Sequence, residues 1–297
     1  MLIRFGFEID VECTSPVPML LALSTHRDVI GRLIGEDFVR VPANCPTRAY
    51  SDQFGNRITR IVAPVGPTRM WSDCVIEFDA QPDRQVPDAR QHAIEDLPDD
   101  VLAHLLASRY CDSDNLIQQA WALFGHTVEG WPRVQAITGF VHSHVTFGYQ
   151  FGRANKTASD VFREKTGVCR DFAHLAISLC RAMNIPARYA SGYLGDIGVP
   201  DSGAGDFCAW FEVFLGGAWH TFDARYNEPR IGRILMVRGS DAADVAMITS
   251  FGDYRLSYFR VWTDRIEDGL ADGEILDMLR TRPEGEALVF PSSARVA

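Results

Sequence analysis

The chain has 297 residues, 46% of them hydrophobic and 23% charged, which is ordinary for a globular protein and excludes disorder over most of its length. The net charge of −10 argues against non-specific nucleic-acid binding, which needs basic surfaces. No run of about 18 apolar residues is present, so no membrane association is expected, and the length favours two domains. Because the first residues carry no apolar secretory segment, we expect a cytoplasmic protein.

The cysteines are odd in number and scattered, with no CxxC pair. Free, mostly packed thiols in a reducing cytoplasm are the expected state. The spacing supports no zinc cage, and no metal or cofactor is expected. The seven are Cys13, Cys45, Cys74, Cys111, Cys169, Cys180 and Cys208.

The first 85 residues have a β pattern. Apolar residues alternate with polar ones from Ile3 to Val11, which predicts a strand with one buried and one solvated face. A hairpin is predicted around Gly55-Asn56, and a further strand over residues 74–78. We therefore predict an N-terminal antiparallel β-sandwich over residues 1–85.

A polar, proline-containing stretch at residues 80–98 is typical of an interdomain linker. Helical spacing follows, and the segment Thr157-Ala158-Ser159-Asp160, with polar side chains suited to capping, is predicted to open a short helix before the cysteine segment. The fold class is predicted as α+β, with a core over residues 86–265. Residues 266–297 form a tail with no strong signal.

Cys169 opens a long predicted helix, directly after the segment Gly167-Val168. The amide groups and partial positive charge at a helix N-terminus would stabilise a thiolate and hold an oxyanion. The alternative is a small packed residue, as expected for Cys180 on the apolar stripe of the same helix. Asn184 fits a left-handed helix end before Pro186.

A second pattern is a hairpin around Gly216-Gly217. A two-residue loop makes Leu215 face Ala218 and, further along, Trp210 face Asp223. Cys208 and Asp223 would then be diagonal neighbours, about 7–8 Å apart, on one sheet face. His220 would point to the opposite face.

These segments together resemble the transglutaminase-like superfamily of papain-related Cys-His-Asp enzymes. The resemblance rests on TGVCRDFAHLAISLCRAMNIPARYASGYLG, DFCAWFEVFLGGAWHTFDARYN and PRIGR, and looks closest to bacterial cysteine proteins with an N-terminal β-domain. It implies a papain-like core in which a cysteine-bearing helix packs on an antiparallel sheet. It also implies that Cys169 is the nucleophile and Asp223 the acid that orients an imidazole.

The chain departs from the family at the base, because Cys208-Ala209-Trp210 stands where the family has His-Ala-Trp. A thiol is a poor substitute for an imidazole, since its ordinary pKa is about 8.5. Cys208 is then a natural replacement that weakens or abolishes catalysis, a substitution introduced to silence the site or trap a ligand, or a disulfide partner of Cys169.

No other histidine is expected to replace the missing base. His220 faces away, His174 lies about 140° around the helix from Cys169, and His142 and His144 belong to the preceding helix. Tyr149 is either an aromatic residue beside the oxyanion site or an ordinary half-buried tyrosine. With no imidazole present, Asp223 is expected to pair with Arg225.

The predicted function is cleavage of, or acyl transfer from, peptide or protein amides through a cysteine thioester, weak or lost because of Cys208. The alternative is a non-catalytic binding module that retains the cleft. The sequence does not indicate the oligomeric state.

Overall fold

The computed structural model describes residues 1–200, 203 and 205–288. Antiparallel sheets and short helices alternate along the chain. The strands are β1 (Leu2–Cys13), β2 (Val17–Leu21), β3 (Leu33–Ile34), β4 (Thr47–Ser51), β5 (Arg57–Ala63), β6 (Gly66–Glu77), β7 (Thr146–Phe147), β8 (Thr166–Gly167), β9 (Ala187–Leu194), β10 (Phe207–Leu215), β11 (Ala218–Phe222), β12 (Arg233–Gly239), β13 (Ile248–Ser250) and β14 (Arg255–Ile266). The helices are α1 (Asp99–Leu102), α2 (Ile117–Phe124), α3 (Trp131–His144), α4 (Ala158–Glu164), α5 (Cys169–Ala182) and α6 (Asp272–Met278).

Two antiparallel sheets contain the N-terminal strands, in the orders β14-β1-β6-β3 and β13-β2-β5-β4. This confirms the α+β class. The pairing crosses the proposed boundary at residue 85, because β13 and β14 return from the far end of the chain to complete both sheets. The segment after residue 265 also contains α6, which the sequence did not indicate and which buries Ile275.

The strand β1 differs from its predicted half-solvated form. Its apolar side chains are buried as expected, but Arg4 and Glu8 on the other face are buried too. Arg4 forms a bidentate ion pair with Asp73, and Glu8 pairs with Arg260. The carbonyl oxygens of residues 278, 281 and 283 accept hydrogen bonds from these arginines. Residues 278–283 therefore cover the face of β1 that the alternation of apolar and polar residues predicts to be exposed to solvent.

The hairpin formed by β4 and β5 is present, but its loop is longer than predicted. Ser51 pairs with Arg57, so the loop runs from Asp52 to Asn56 and not through Gly55-Asn56 alone. The Asp52 carboxylate accepts hydrogen bonds from the backbone amides of Phe54 and Asn56 and from the Asn56 side chain. These bonds satisfy the loop's polar groups and stabilise the five-residue turn.

The helix α5 packs against a third antiparallel sheet, of order β11-β10-β9-β12. The sequence predicted one buried stripe, yet residues 171–182 are all buried, since α3 and α4 cover the other side of α5. The sheet that contains β1 shares a core with this third sheet. The ring centroids of Phe5 on β1 and Tyr193 on β9 lie 4.9 Å apart, and those of Phe7 on β1 and Phe207 on β10 lie 6.1 Å apart.

Candidate functional site

The predicted helix start at Cys169 is confirmed. Thr157 caps the preceding helix α4, and α5 then begins at Cys169 itself. The Asp171 carboxylate accepts a hydrogen bond of 3.0 Å from the backbone amide of Val168, which fixes the chain just before the thiol. The far end of α5 is as predicted, because Asn184 adopts a left-handed conformation with φ of 60°.

The thiol of Cys169 is not the stabilised thiolate that its position on the helix suggested. Burial, and to a smaller extent the charge of Asp206, raise its pKa to about 11. The Arg225 guanidinium and a hydrogen bond with the backbone of Ala209 act in the opposite direction without compensating. Desolvation therefore outweighs the charge of Arg225 and the Ala209 hydrogen bond, so that the raised pKa keeps the thiol protonated at neutral pH.

The hairpin register is confirmed where both strands are regular. Leu215 pairs with Ala218 and Phe211 with Phe222, and both turn glycines have positive φ, as a two-residue hairpin loop requires. The ladder ends at Phe222, so the extrapolated pairs of Trp210 with Asp223 and of Cys208 with Arg225 do not form. The backbone turns at Asp223, whose carbonyl oxygen accepts a hydrogen bond from the amide of Asn227.

Cys208 lies on β10, close enough to Cys169 for the charge of one sulfur to act on the other. Burial is the main cause that raises the pKa of Cys208 to about 12, and the charges of Cys169 and Asp223 add to it. Both sulfurs are free thiols. The structure thus brings together Cys169, Cys208 and the chain at Asp223, with two protonated thiols at neutral pH.

The carboxylate of Asp223 is held by partners other than the predicted one. Its Oδ2 accepts a hydrogen bond of 2.8 Å from the Arg233 guanidinium, and its Oδ1 accepts from the backbone amides of Arg225 and Tyr226. The expected ion pair with the Arg225 side chain is therefore wrong. Arg233 was missed as a partner because it lies on β12, where nothing in the hairpin pattern points to it.

The histidines considered as replacement bases are held by other groups. His220 Nε2 donates to the carbonyl oxygen of Leu215, on the face opposite the thiols, and His174 accepts from the amide of Ala242. His144 and His142 donate to the carbonyl oxygens of Phe162 and Arg225.

Asp206 joins the site, and the sequence analysis missed it. It comes two residues before Cys208, so the parity of β10 was the available signal. The Tyr149 hydroxyl donates a hydrogen bond of 3.1 Å to its carboxylate. Burial raises the pKa of Asp206 to about 6, while the bond from Tyr149 and the charge of Arg225 lower it.

A cleft of about 940 Å³ opens at these residues. Cys208, Tyr149, Asp206 and Arg225 line it, together with Trp262 and other residues of β14 and with residues 283–286 and 288. The returning C-terminal strand and the segment after it therefore form part of the wall. Its volume falls in the range typical of small-molecule sites.

Two further properties concern ligands and membranes. Within the described ranges, no group of three or more His, Cys, Asp and Glu side chains is arranged to hold a metal ion. Over the same part of the chain, no helix is long and apolar enough to cross a membrane.

Comparison with known proteins supports the fold. Residues 125–224 match the family model of the transglutaminase-like superfamily. The crystal structure of a candidate cysteine protease from Cytophaga hutchinsonii is similar to this chain with a TM-score of 0.75 and 28% identity, covering 91% of this chain and 92% of that one. An uncharacterized protein of Mycobacterium leprae (strain TN) is 39% identical over 93 residues, 29% of this chain and 32% of that protein's length.

The matched segment contains α3, α4, α5, β9, β10 and β11 and carries both thiols. It ends at residue 224, just after Asp223. Residues 125–224 are thus similar to the core of the transglutaminase-like superfamily. The similarity to the Cytophaga hutchinsonii protein extends over the N-terminal sheets as well.

Proposed function

We propose that this protein is a transglutaminase-like cysteine enzyme acting on peptide or protein amides, with Cys169 as the nucleophile and with slow turnover because Cys208 occupies the position of the base. The observation that carries the proposal is that Cys169, at the start of α5, lies beside Cys208, which lines the cleft together with Arg225 and Tyr226 of the turn after Asp223. The free thiols suit a reducing cytoplasm.

The chemistry would proceed through a thioester. The sulfur of Cys169 bonds to the amide carbonyl carbon, the amine leaves with a proton, and water or a second amine then releases the acyl group. Amide groups near the start of α5 are suited to stabilise the oxyanion. The weak step is proton transfer, because Cys208, with a pKa of about 12, neither removes the proton of Cys169 at neutral pH nor relays it to the amine.

Restoring the imidazole tests this proposal. We expect Cys208→His to raise amide cleavage or amine transfer about 100-fold or more, in line with the contribution of a positioned general base. A peptide mixture from a protein digest serves as the substrate, with a fluorescent primary amine added and both product types read by mass spectrometry. Cys208→Ala is the matched control, and Cys169→Ala combined with Cys208→His should abolish any gain. A folded Cys208→His protein with no gain in either product would contradict the proposal.

A second candidate, a non-catalytic binding module, is favoured by the protonated state of both thiols. In that case the wild-type protein binds peptides from the same mixture, and binding is unchanged in Cys169→Ala. Peptide retention on immobilised wild-type and Cys169→Ala protein separates the candidates, because only the enzyme forms a covalent thioester at Cys169.

A further inference from the structure

The Arg225 backbone is held at two points beside the thiols. Its amide donates a hydrogen bond of 2.9 Å to Asp223, and its carbonyl oxygen accepts one of 2.9 Å from His142. These two bonds fix the backbone atoms that carry the Arg225 side chain, which lines the cleft.

The guanidinium of Arg225 packs on two aromatic rings. Its central carbon lies 3.7 Å from the centroid of the Phe147 ring and 4.8 Å from that of Tyr226. Its positive charge reaches both Cys169 and Cys208. Stacking on rings holds the guanidinium plane while leaving its N–H edge available for hydrogen bonds.

The N–H groups of this guanidinium have no acceptor in the part of the chain that the structure describes, and no carboxylate there lies within 4.0 Å of it. Other arginines around the core sheet behave differently: Arg188 pairs with Glu212, and Arg233 with Asp83 and Asp223. A half-buried cation with free donors beside a pair of thiols is a receptor for an anion.

We propose that Arg225 binds a carboxylate of the ligand and holds it next to Cys169 and Cys208. The planar fork of an arginine matches a carboxylate in a bidentate hydrogen-bonded pair. The proposal names the substrate class, a carboxylate-bearing peptide or acyl compound, and rests on the proposed function only for the location of the site.

Alkylation tests the proposal without any turnover. Iodoacetate carries a carboxylate and iodoacetamide is its neutral analogue; with either, a C–S bond forms and iodide leaves. The alkylation rates of Cys169 and Cys208 with each reagent are measured at pH 9 by mass spectrometry of the modified peptides. Both reagents react with the same thiolate, so the ratio of the two rates does not depend on the fraction of thiol that is ionised. The same ratio measured for glutathione, a small thiol with no binding site, is the reference value.

We expect the iodoacetate-to-iodoacetamide ratio of the wild-type protein to exceed that of glutathione by about tenfold or more, equivalent to 1.4 kcal/mol of preference. Arg225→Gln should return it to the glutathione value. Arg225→Met, which keeps an apolar stem against Phe147 and Tyr226, is the second variant if Arg225→Gln misfolds. A wild-type ratio at or below that of glutathione, or one unchanged in the folded variant, would overturn the proposal.

Two peptides distinguish the source of the carboxylate. N-acetylglycylglycine offers a terminal carboxylate and N-acetylaspartylglycinamide a side-chain carboxylate, while N-acetylglycylglycinamide is the neutral control. Stronger protection from iodoacetamide by either acidic peptide, lost in Arg225→Gln, supports the proposal and identifies the source. Protection no stronger than that by the neutral peptide would count against it. Because Cys208→His plays no part, failure here leaves the proposed function standing.

Discussion

Asp223 and Arg233 form a buried ion pair, with Arg233 donating to the Asp223 carboxylate across 2.8 Å. Arg233 also donates to Asp83 at 2.8 Å, so one guanidinium ties β12 to the hairpin turn and to the segment before α1. The acid that the family resemblance assigns to orienting an imidazole is here neutralised by an arginine. The pair also fixes the turn that carries Arg225.

Removing Arg233 should destabilise the fold. In Arg233→Met the Asp223 carboxylate stays buried without its cation, and breaking such a pair typically costs about 3–5 kcal/mol. Urea unfolding followed by circular dichroism measures the change. Arg280→Met is the matched control, since Arg280 is an exposed partner of Asp277, and should change stability by less than about 0.5 kcal/mol. Equal unfolding midpoints for the two variants would contradict this role.

The half-buried carboxyl of Asp206 should make stability depend on pH. Its pKa is raised from 3.8 to about 6 in the folded protein, mainly by burial. The folded state therefore holds this proton more tightly than the unfolded chain, and the stabilisation is fully present below about pH 4 and lost as the pH rises through 6. Asp206→Asn should thus gain stability relative to the wild type at pH 8, by up to about 3 kcal/mol, but not at pH 4.

Urea unfolding midpoints of wild type and Asp206→Asn between pH 4 and 8 provide the measurement. Asp88→Asn, at an exposed position, controls for the loss of a carboxylate. A difference between wild type and Asp206→Asn that stays constant over this range would show that Asp206 does not titrate there.

The shared aromatic core predicts that the chain unfolds as one unit. Tyr193 and Phe207 of the core sheet contact Phe5 and Phe7 of β1, and Phe207 also lies 5.8 Å from Phe259 of β14. The fragment 86–265 lacks β1 and would expose these rings, so we expect it to bind a hydrophobic dye and to unfold without a cooperative transition. The full chain should show one cooperative transition, whereas a cooperative transition in the fragment would contradict the shared core.

Local patterns predicted the parts of the site that lie close together in sequence. The start of α5 at Cys169 followed from the apolar spacing, and the pairing of Leu215 with Ala218 followed from the two glycines of the turn. The family resemblance supplied the roles of Cys169 and Asp223, which remain predictions. The predicted pairing of Trp210 with Asp223 failed because the β10–β11 ladder ends at Phe222, where the backbone enters the turn at Asp223. The pattern of the hairpin does not encode that turn.

Contacts between distant segments could not be predicted in the same way. The pairing of β1 with β14 joins residues more than 240 positions apart, and no local periodicity encodes such a partner. The Arg233 partner of Asp223 and the burial of Arg4 by the C-terminal segment depend on the same long-range packing. The raised pKa of Cys169 was missed for a related reason, since burial at a helix start is a tertiary property.

The pH dependence of Cys169 alkylation tests most directly the claim that Cys208 stands at the position of the base. With a pKa of about 11 for Cys169, the rate with iodoacetamide in the wild type should rise about tenfold per pH unit up to pH 10, without a plateau. In Cys208→His the imidazole should stabilise the thiolate, so that the rate at pH 7 is about 100-fold higher and levels off near neutral pH. A wild-type plateau near neutral pH, or a Cys208→His profile identical to that of the wild type, would contradict the account.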